Sequence, residues 1–145
     1  MIRLNLIGLP KKNLMIMDNS YFQILRGGTH TTFQDNGFFN SQHLGITTGG
    51  AMDHDLFTLS NKIINNHLNT PVLEFCLQGP ALKLINGSSR VVISGNVVFD
   101  IIRSSKTFEG VPYQSYLLND GDVIDVKSTV KSNYGYLSIE GGFNI

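Results

Sequence analysis

From Tyr21 to Glu140 the chain repeats one device: a short run of β-branched and aromatic residues, then a turn former. The runs are "YFQIL", "TTF", "PVLEFCL", "ALKLI", "RVVIS", "VVFDII", "QSYLL", "DVIDV" and "YGYLSIE". Short strands at this spacing predict an all-β sandwich or barrel. "ALKLINGSSRVVIS" predicts the clearest hairpin, because Asn86 and Gly87 tolerate the positive φ angles of a tight turn. "LLNDGDVIDV" repeats the pattern, with Asn119, Asp120 and Gly121 as the turn.

One stretch has another period. Leu56, Leu59, Ile63 and Ile64, with Phe57 alongside, lie on one side of a helix. Asp53 precedes it as an expected N-cap and Asn65-Asn66 is the expected stop. The prediction is therefore a mainly β domain carrying one short helix, with no internal repeat and no linker dividing it.

A chain of 145 residues fits one domain and is long enough to bury roughly 70% of the surface its unfolded form exposes. Eleven Lys and Arg balance eleven Asp and Glu, and the cations are scattered, which argues against a nucleic-acid surface. So few charges on an apolar chain leave room for a surface covered by another subunit. Cys76 is the single cysteine; no internal disulfide can form, a reducing, cytoplasmic setting is expected, and the thiol reads as a small buried hydrophobe. The apolar N-terminus is interrupted by Asn5, Pro10, Lys11 and Lys12, short of the ~20 residues that span a bilayer. No membrane partner is expected.

Several chemistries are excluded by missing motifs. The chain contains no Gly-x-Ser-x-Gly elbow, no phosphate loop ending in Gly-Lys-Ser/Thr and no His-Glu-x-x-His helix. Asp53, His54 and Asp55 are consecutive, so their side chains diverge and no metal site is expected. The stretch "TTFQDNGFFNSQHLGITTGGAMDHD", Thr31 to Asp55, is different, because it concentrates polar groups beside glycines. Gly49 and Gly50 can present backbone amides to a carbonyl oxygen that becomes negatively charged, while His43 or Asp35 moves a proton. A structural histidine is an equally good reading of His43, and Gln34 and Asp35 also suit loop anchors.

Taken in order, "TTFQDNG", "QHLGITTGGAMDHDLFTLSNKIINN", "LEFCLQGPALKL", "ISG" and "YLSIEGGFNI" resemble the biotin-dependent carboxyltransferase domain family. That family includes the C-type subunit of 5-oxoprolinase, also known as allophanate hydrolase subunit 2, and the carboxyltransferase part of urea carboxylase. The resemblance implies a cyclophilin-like β-barrel fold, with residues 21–145 as the N-terminal half of the carboxyltransferase-like domain and residues 1–20 as an extension before it. It implies a hydrolase component active only in a complex that opens 5-oxoproline to glutamate with ATP. The partners implied are a B-type 5-oxoprolinase subunit of related fold and a third component, with no cofactor bound directly by this chain.

On that resemblance His43 and Asp35 are the expected catalytic residues, and Gln34, Gly49, Gly50 and Asp53 the expected substrate-binding ones, lining a pocket for a small amide. Where the family usually places Arg-Pro after Gln-Asp-x-Gly, this chain has Phe38-Phe39, which removes a cation suited to a carboxylate. Two alternatives stand beside the hydrolase: a non-catalytic binding protein that sequesters a related inhibitor protein, and urea-type carboxyl transfer from biotin.

Overall fold

The computed structural model describes residues 3–6, 20–38, 40 and 42–145. Twelve strands and one helix follow one another among them. The first strands are β1 (Arg3–Leu6), β2 (Tyr21–Arg26) and β3 (His30–Gln34); a 3-10 turn (Gln42–Leu44) and α1 (His54–Ile63) precede β4 (Val72–Cys76). The chain continues through β5 (Ala81–Ile85), β6 (Ser88–Ser94), β7 (Val97–Arg103) and β8 (Lys106–Glu109). It finishes with β9 (Ser115–Asn119), β10 (Val123–Thr129), β11 (Tyr134–Ile139) and β12 (Phe143–Asn144).

The strands form two antiparallel sheets, one ordered β12-β1-β2-β5-β10-β7-β8 and the other β3-β4-β11-β6-β9. Period-2 alternation then fills the space between them. Phe22, Leu82, Leu84, Phe99, Ile101, Ile124 and Val126 come from the first sheet; Leu73, Phe75, Val91, Ile93, Leu118, Leu137 and Ile139 come from the second. Aromatic pairs bridge the open sides: Phe33 against Phe143 at 5.2 Å and Phe99 against Tyr116 at 6.0 Å. The mainly β chain with one helix is the predicted class. Among the described residues its ladders make two sheets with a shared core, and closure into a continuous barrel is not among them.

The predicted hairpin at Asn86-Gly87 is corrected. Both residues do have positive φ, 59° and 84°, but β5 pairs with β2 and β10 while β6 pairs with β9 and β11. The turn carries the chain from one sheet to the other. The Asn119–Gly121 turn does the same between β9 and β10, and the two are tied together where the Asn86 amide donates to Asp120 Oδ1 at 2.8 Å. A positive-φ pair fixes how sharply the chain reverses; it does not fix which strand becomes the neighbour. The two-residue hairpin is instead β7–β8, turned by Ser104 and Ser105 at φ 45° and 68° with Arg103 opposite Lys106.

Helix α1 begins where expected, with the Asp53 carboxylate accepting from the Leu56 amide at 3.0 Å. Its buried face is Phe57, Ser60 and Asn61, with Ile64 at the C-cap, while Leu59 is 39% exposed. The apolar stripe is thus rotated from the predicted one, because two polar residues are satisfied in the interface. Ser60 Oγ meets Ser138 Oγ at 2.7 Å, and Asn61 Nδ2 donates to the Thr70 carbonyl at 2.8 Å. The helix lies on the outer face of the five-stranded sheet, opposite the main core. There Ala51, Phe57, Val72 and Tyr136 make a second, smaller apolar cluster.

Candidate functional site

The Gly-rich segment leaves β3 at Gln34 and returns to the sheet at Asp53, so its two ends are neighbours. The Ala51 amide donates to the Asp35 carbonyl at 2.9 Å, and the Phe38 amide to that of Thr48 at 2.6 Å. Two glycines make this closure possible. At Gly50, with φ 82°, an added Cβ would sit 2.7 Å from Asn36 C and Gly37 N; at Gly37 it would sit 2.3 Å from the Thr48 carbonyl. Only residues without a side chain allow the two backbones so close. Gly49 also has positive φ, 59°, but faces open space.

The far end of the segment is held from beneath by two residues absent from the expected set. Glu74 on β4 and Tyr136 on β11 are cross-strand partners on the outer face of the sheet, 2% and 0% exposed. Glu74 Oε2 accepts from the Met52 amide at 2.8 Å and from the Tyr136 hydroxyl at 2.8 Å. The same hydroxyl accepts from the Asp53 amide at 2.7 Å. Burial raises the Tyr136 pKa well above its ordinary value, and the bond to Glu74 adds to that, against an opposing pull from the Asp53 amide. The phenol therefore stays protonated as donor. Sequence held one signal for Glu74, the lone acid within the apolar run "PVLEFCL".

The predicted site residues fall into two groups. Gln34, Asp35, Gly50 and Asp53 lie at or beside the two ends of the segment, where Ala51 bonds Asp35 and Gly50 packs on Asn36 and Gly37, and the three with side chains each have a local partner. Gln34 Nε2 donates to Thr32 Oγ1 at 3.0 Å, Asp35 Oδ1 accepts from the Gly37 amide at 2.7 Å, and Asp53 caps α1. His43 rides the 3-10 turn further out, where its side chain is exposed, and Gly49 faces open space. Around the segment Phe38, Leu44, Ile46 and Met52 are exposed as well, Phe38 by 73%; Phe39 lies outside the described residues. A cavity of about 240 Å³ lies elsewhere, lined by Ile101, Arg103, Phe108, Glu109 and Tyr116 near edge strands β8 and β9.

Cys76 corrects another expectation. It is partly exposed, because it shares the outer face with Glu74 and not the core face with Phe75, and lies between His30 and Tyr134 in register. Among the described residues no helix is long and apolar enough to cross a membrane. The N-terminal interruption at Pro10, Lys11 and Lys12 lies outside the described residues.

The description "Carboxyltransferase domain, subdomain A and B" matches residues 44–145, most of the chain. The chain belongs to this carboxyltransferase domain family. It is 29% identical to the urea amidolyase of Lachancea kluyveri over 125 residues, covering 86% of this chain and 7% of that protein. It is 28% identical to the C-type 5-oxoprolinase subunit of Haemophilus influenzae over 120 residues, covering 83% of this chain and 38% of that one. The crystal structure of the Kluyveromyces lactis urea carboxylase superimposes with a TM-score of 0.75 at 28% identity, covering 83% of this chain and 10% of that one. This carboxyltransferase-family chain thus spans well under half the length of these relatives. Its match begins at Leu44 and includes "GITTGGAMD", so the glycine segment and its Glu74–Tyr136 support both lie within or directly against the shared domain.

Proposed function

We propose that this chain is a component of an ATP-dependent 5-oxoprolinase-type complex that opens a small cyclic amide, 5-oxoproline, to glutamate. In this reading the Gly49 and Gly50 amides steady the lactam carbonyl oxygen as charge develops on it. His43 moves a proton to or from the reacting groups, from a turn exposed enough to meet a partner protein. Asp35 and Gln34 hold the start of the segment, and Asp53 its end. The complex uses ATP, and a B-type 5-oxoprolinase subunit and a third component complete it.

The observation that carries this reading is the closed segment itself. A stretch with four positive-φ glycines, Gly37, Gly45, Gly49 and Gly50, is clasped at its base yet leaves Gly49 uncrowded. That arrangement lets backbone amides approach a carbonyl oxygen on which negative charge develops, with no side chain in the way. The likeness to the C-type 5-oxoprolinase subunits supports the choice of substrate. The urea amidolyase likeness supports a second reading, carboxyl transfer from biotin to urea, which centres on the same kind of carbonyl.

The test is ADP release by the assembled complex with 5-oxoproline and, separately, with urea. Turnover of 5-oxoproline alone is expected, and it should fall when His43 is replaced by Asn. Urea turnover alone would select the second reading. A stable complex with neither activity would make the chain a binding protein that sequesters its partner.

A further inference from the structure

We infer that Glu74 and Tyr136 are positioning residues for the candidate site, a role that rests on the reading of Gly49 and Gly50 as carbonyl-binding amides. Neither side chain reaches solvent, so neither touches substrate. Both instead direct their polar atoms to consecutive backbone amides, Met52 and Asp53, immediately after Gly49, Gly50 and Ala51. A short, uncharged glycine segment has little side-chain packing of its own, and conformational freedom there is costly to suppress.

The sheet supplies the missing restraint. Tyr136 and Glu74 are locked to each other across β11 and β4, and those strands are inner members of their sheet. Two fixed acceptors thus hold Met52 and Asp53, next to the Ala51 amide on the Asp35 carbonyl, while on the other side of the glycines the Thr48 carbonyl accepts from the Phe38 amide. Gly49 and Gly50 lie between these two anchored points, which restrict the directions their peptide planes can take. Donors aimed in advance stabilise developing charge without reorganising, so loosening them costs rate more than binding.

Tyr136→Phe removes only the hydroxyl, leaving the ring in the second apolar cluster. In the assembled complex its kcat for 5-oxoproline should fall about tenfold to a hundredfold with KM little changed, as expected for misplacement near 1 Å. Glu74→Leu should fall as far, and Glu74→Gln, which keeps an acceptor oxygen for both donors, should recover most of the loss. Amide hydrogen exchange should accelerate in residues 49–53 of Tyr136→Phe while β4 and β11 stay protected. Turnover that falls only with the folded fraction, or exchange that quickens evenly across the sheet, would overturn the inference. If the wild-type complex does not turn over 5-oxoproline, the functional reading fails separately. Exchange then decides: localised acceleration upholds the anchoring, and unchanged exchange at Met52 and Asp53 removes it.

Discussion

The Tyr136 hydroxyl stands between an acid and an amide, donating to Glu74 Oε2 at 2.8 Å and accepting from the Asp53 nitrogen at 2.7 Å. Burial first, then the neighbouring Glu74, holds its proton more tightly than the ordinary phenol value of 10.0. A raised folded-state pKa contributes stability that is complete below the unfolded value and lost as pH rises beyond it. Stability should therefore decline above about pH 10, and Tyr136→Phe should flatten that decline. Denaturant unfolding across alkaline pH checks this; identical slopes for the two proteins would refute it.

Asp125 behaves in the opposite sense. Burial alone would raise its pKa, but hydrogen bonds from Lys127 and Arg26 outweigh it, and the net shift is downward; Arg26 Nη2 lies 2.5 Å from Asp125 Oδ1. The contribution is thus present above the unfolded value of about 3.9 and lost as pH falls through the lower folded one. Asp125→Asn should cost about 1 kcal/mol or less at neutral pH, as partly solvated ion pairs do. The difference from wild type should vanish in acid, as read by urea midpoints.

Gly49→Ala and Gly50→Ala separate freedom from space. Both residues have positive φ, but only at Gly50 would the new Cβ meet backbone, at 2.7 Å. Gly49→Ala should cost about 1 kcal/mol, the conformational term alone. Gly50→Ala should cost appreciably more, since the clash is with Asn36 and Gly37 main chain, which cannot rotate away. Thermal unfolding of the two variants gives the ranking directly.

Asp53 caps α1 through one oxygen. Asp53→Ala should destabilise by about 1 kcal/mol, and Asp53→Asn should leave stability within a few tenths. Turnover measured on Asp53→Asn then isolates the charge: full activity would limit the residue to its cap, and a loss at unchanged stability would assign it to the site.

Strand positions were legible because alternation and turn residues are local signals. All nine runs recognised from Tyr21 onward are strands, and the α1 cap at Asp53 is where spacing puts it. Partners were not legible. Asn86-Gly87 looks the same whether its strands pair or part, since the choice is made by Asp122 and Gly121, whose backbone pairs with Leu84. Strand β8 was missed because Lys106, Thr107 and Glu109 give no apolar face; all four of its residues are exposed.

At the site, the glycines and Asp35 announce a tight loop through composition alone. Their support does not. Nothing local marks Ser60 and Asn61 as buried, since their partners are Ser138 and Thr70, and nothing local marks Tyr136 as the aromatic whose hydroxyl reaches Asp53. A buried polar group is recognised by its partner, and most of these partners are remote in the chain. Asn66 shows the same thing: expected as a helix stop, it also bonds the Ile139 carbonyl at 2.7 Å and the Gly141 amide at 2.9 Å.

The passage of Asn86-Gly87 and Asn119–Gly121 from one sheet to the other has a kinetic consequence. Neighbours along the chain mostly cannot zip together on their own, so few ladders can nucleate before distant segments have met. Folding should accordingly be slow and all-or-none, with a transition state that already engages both layers. Until they close on each other, the edges of half-assembled layers are sticky, which makes dilution or an early-arriving partner protein the condition for a good refolding yield.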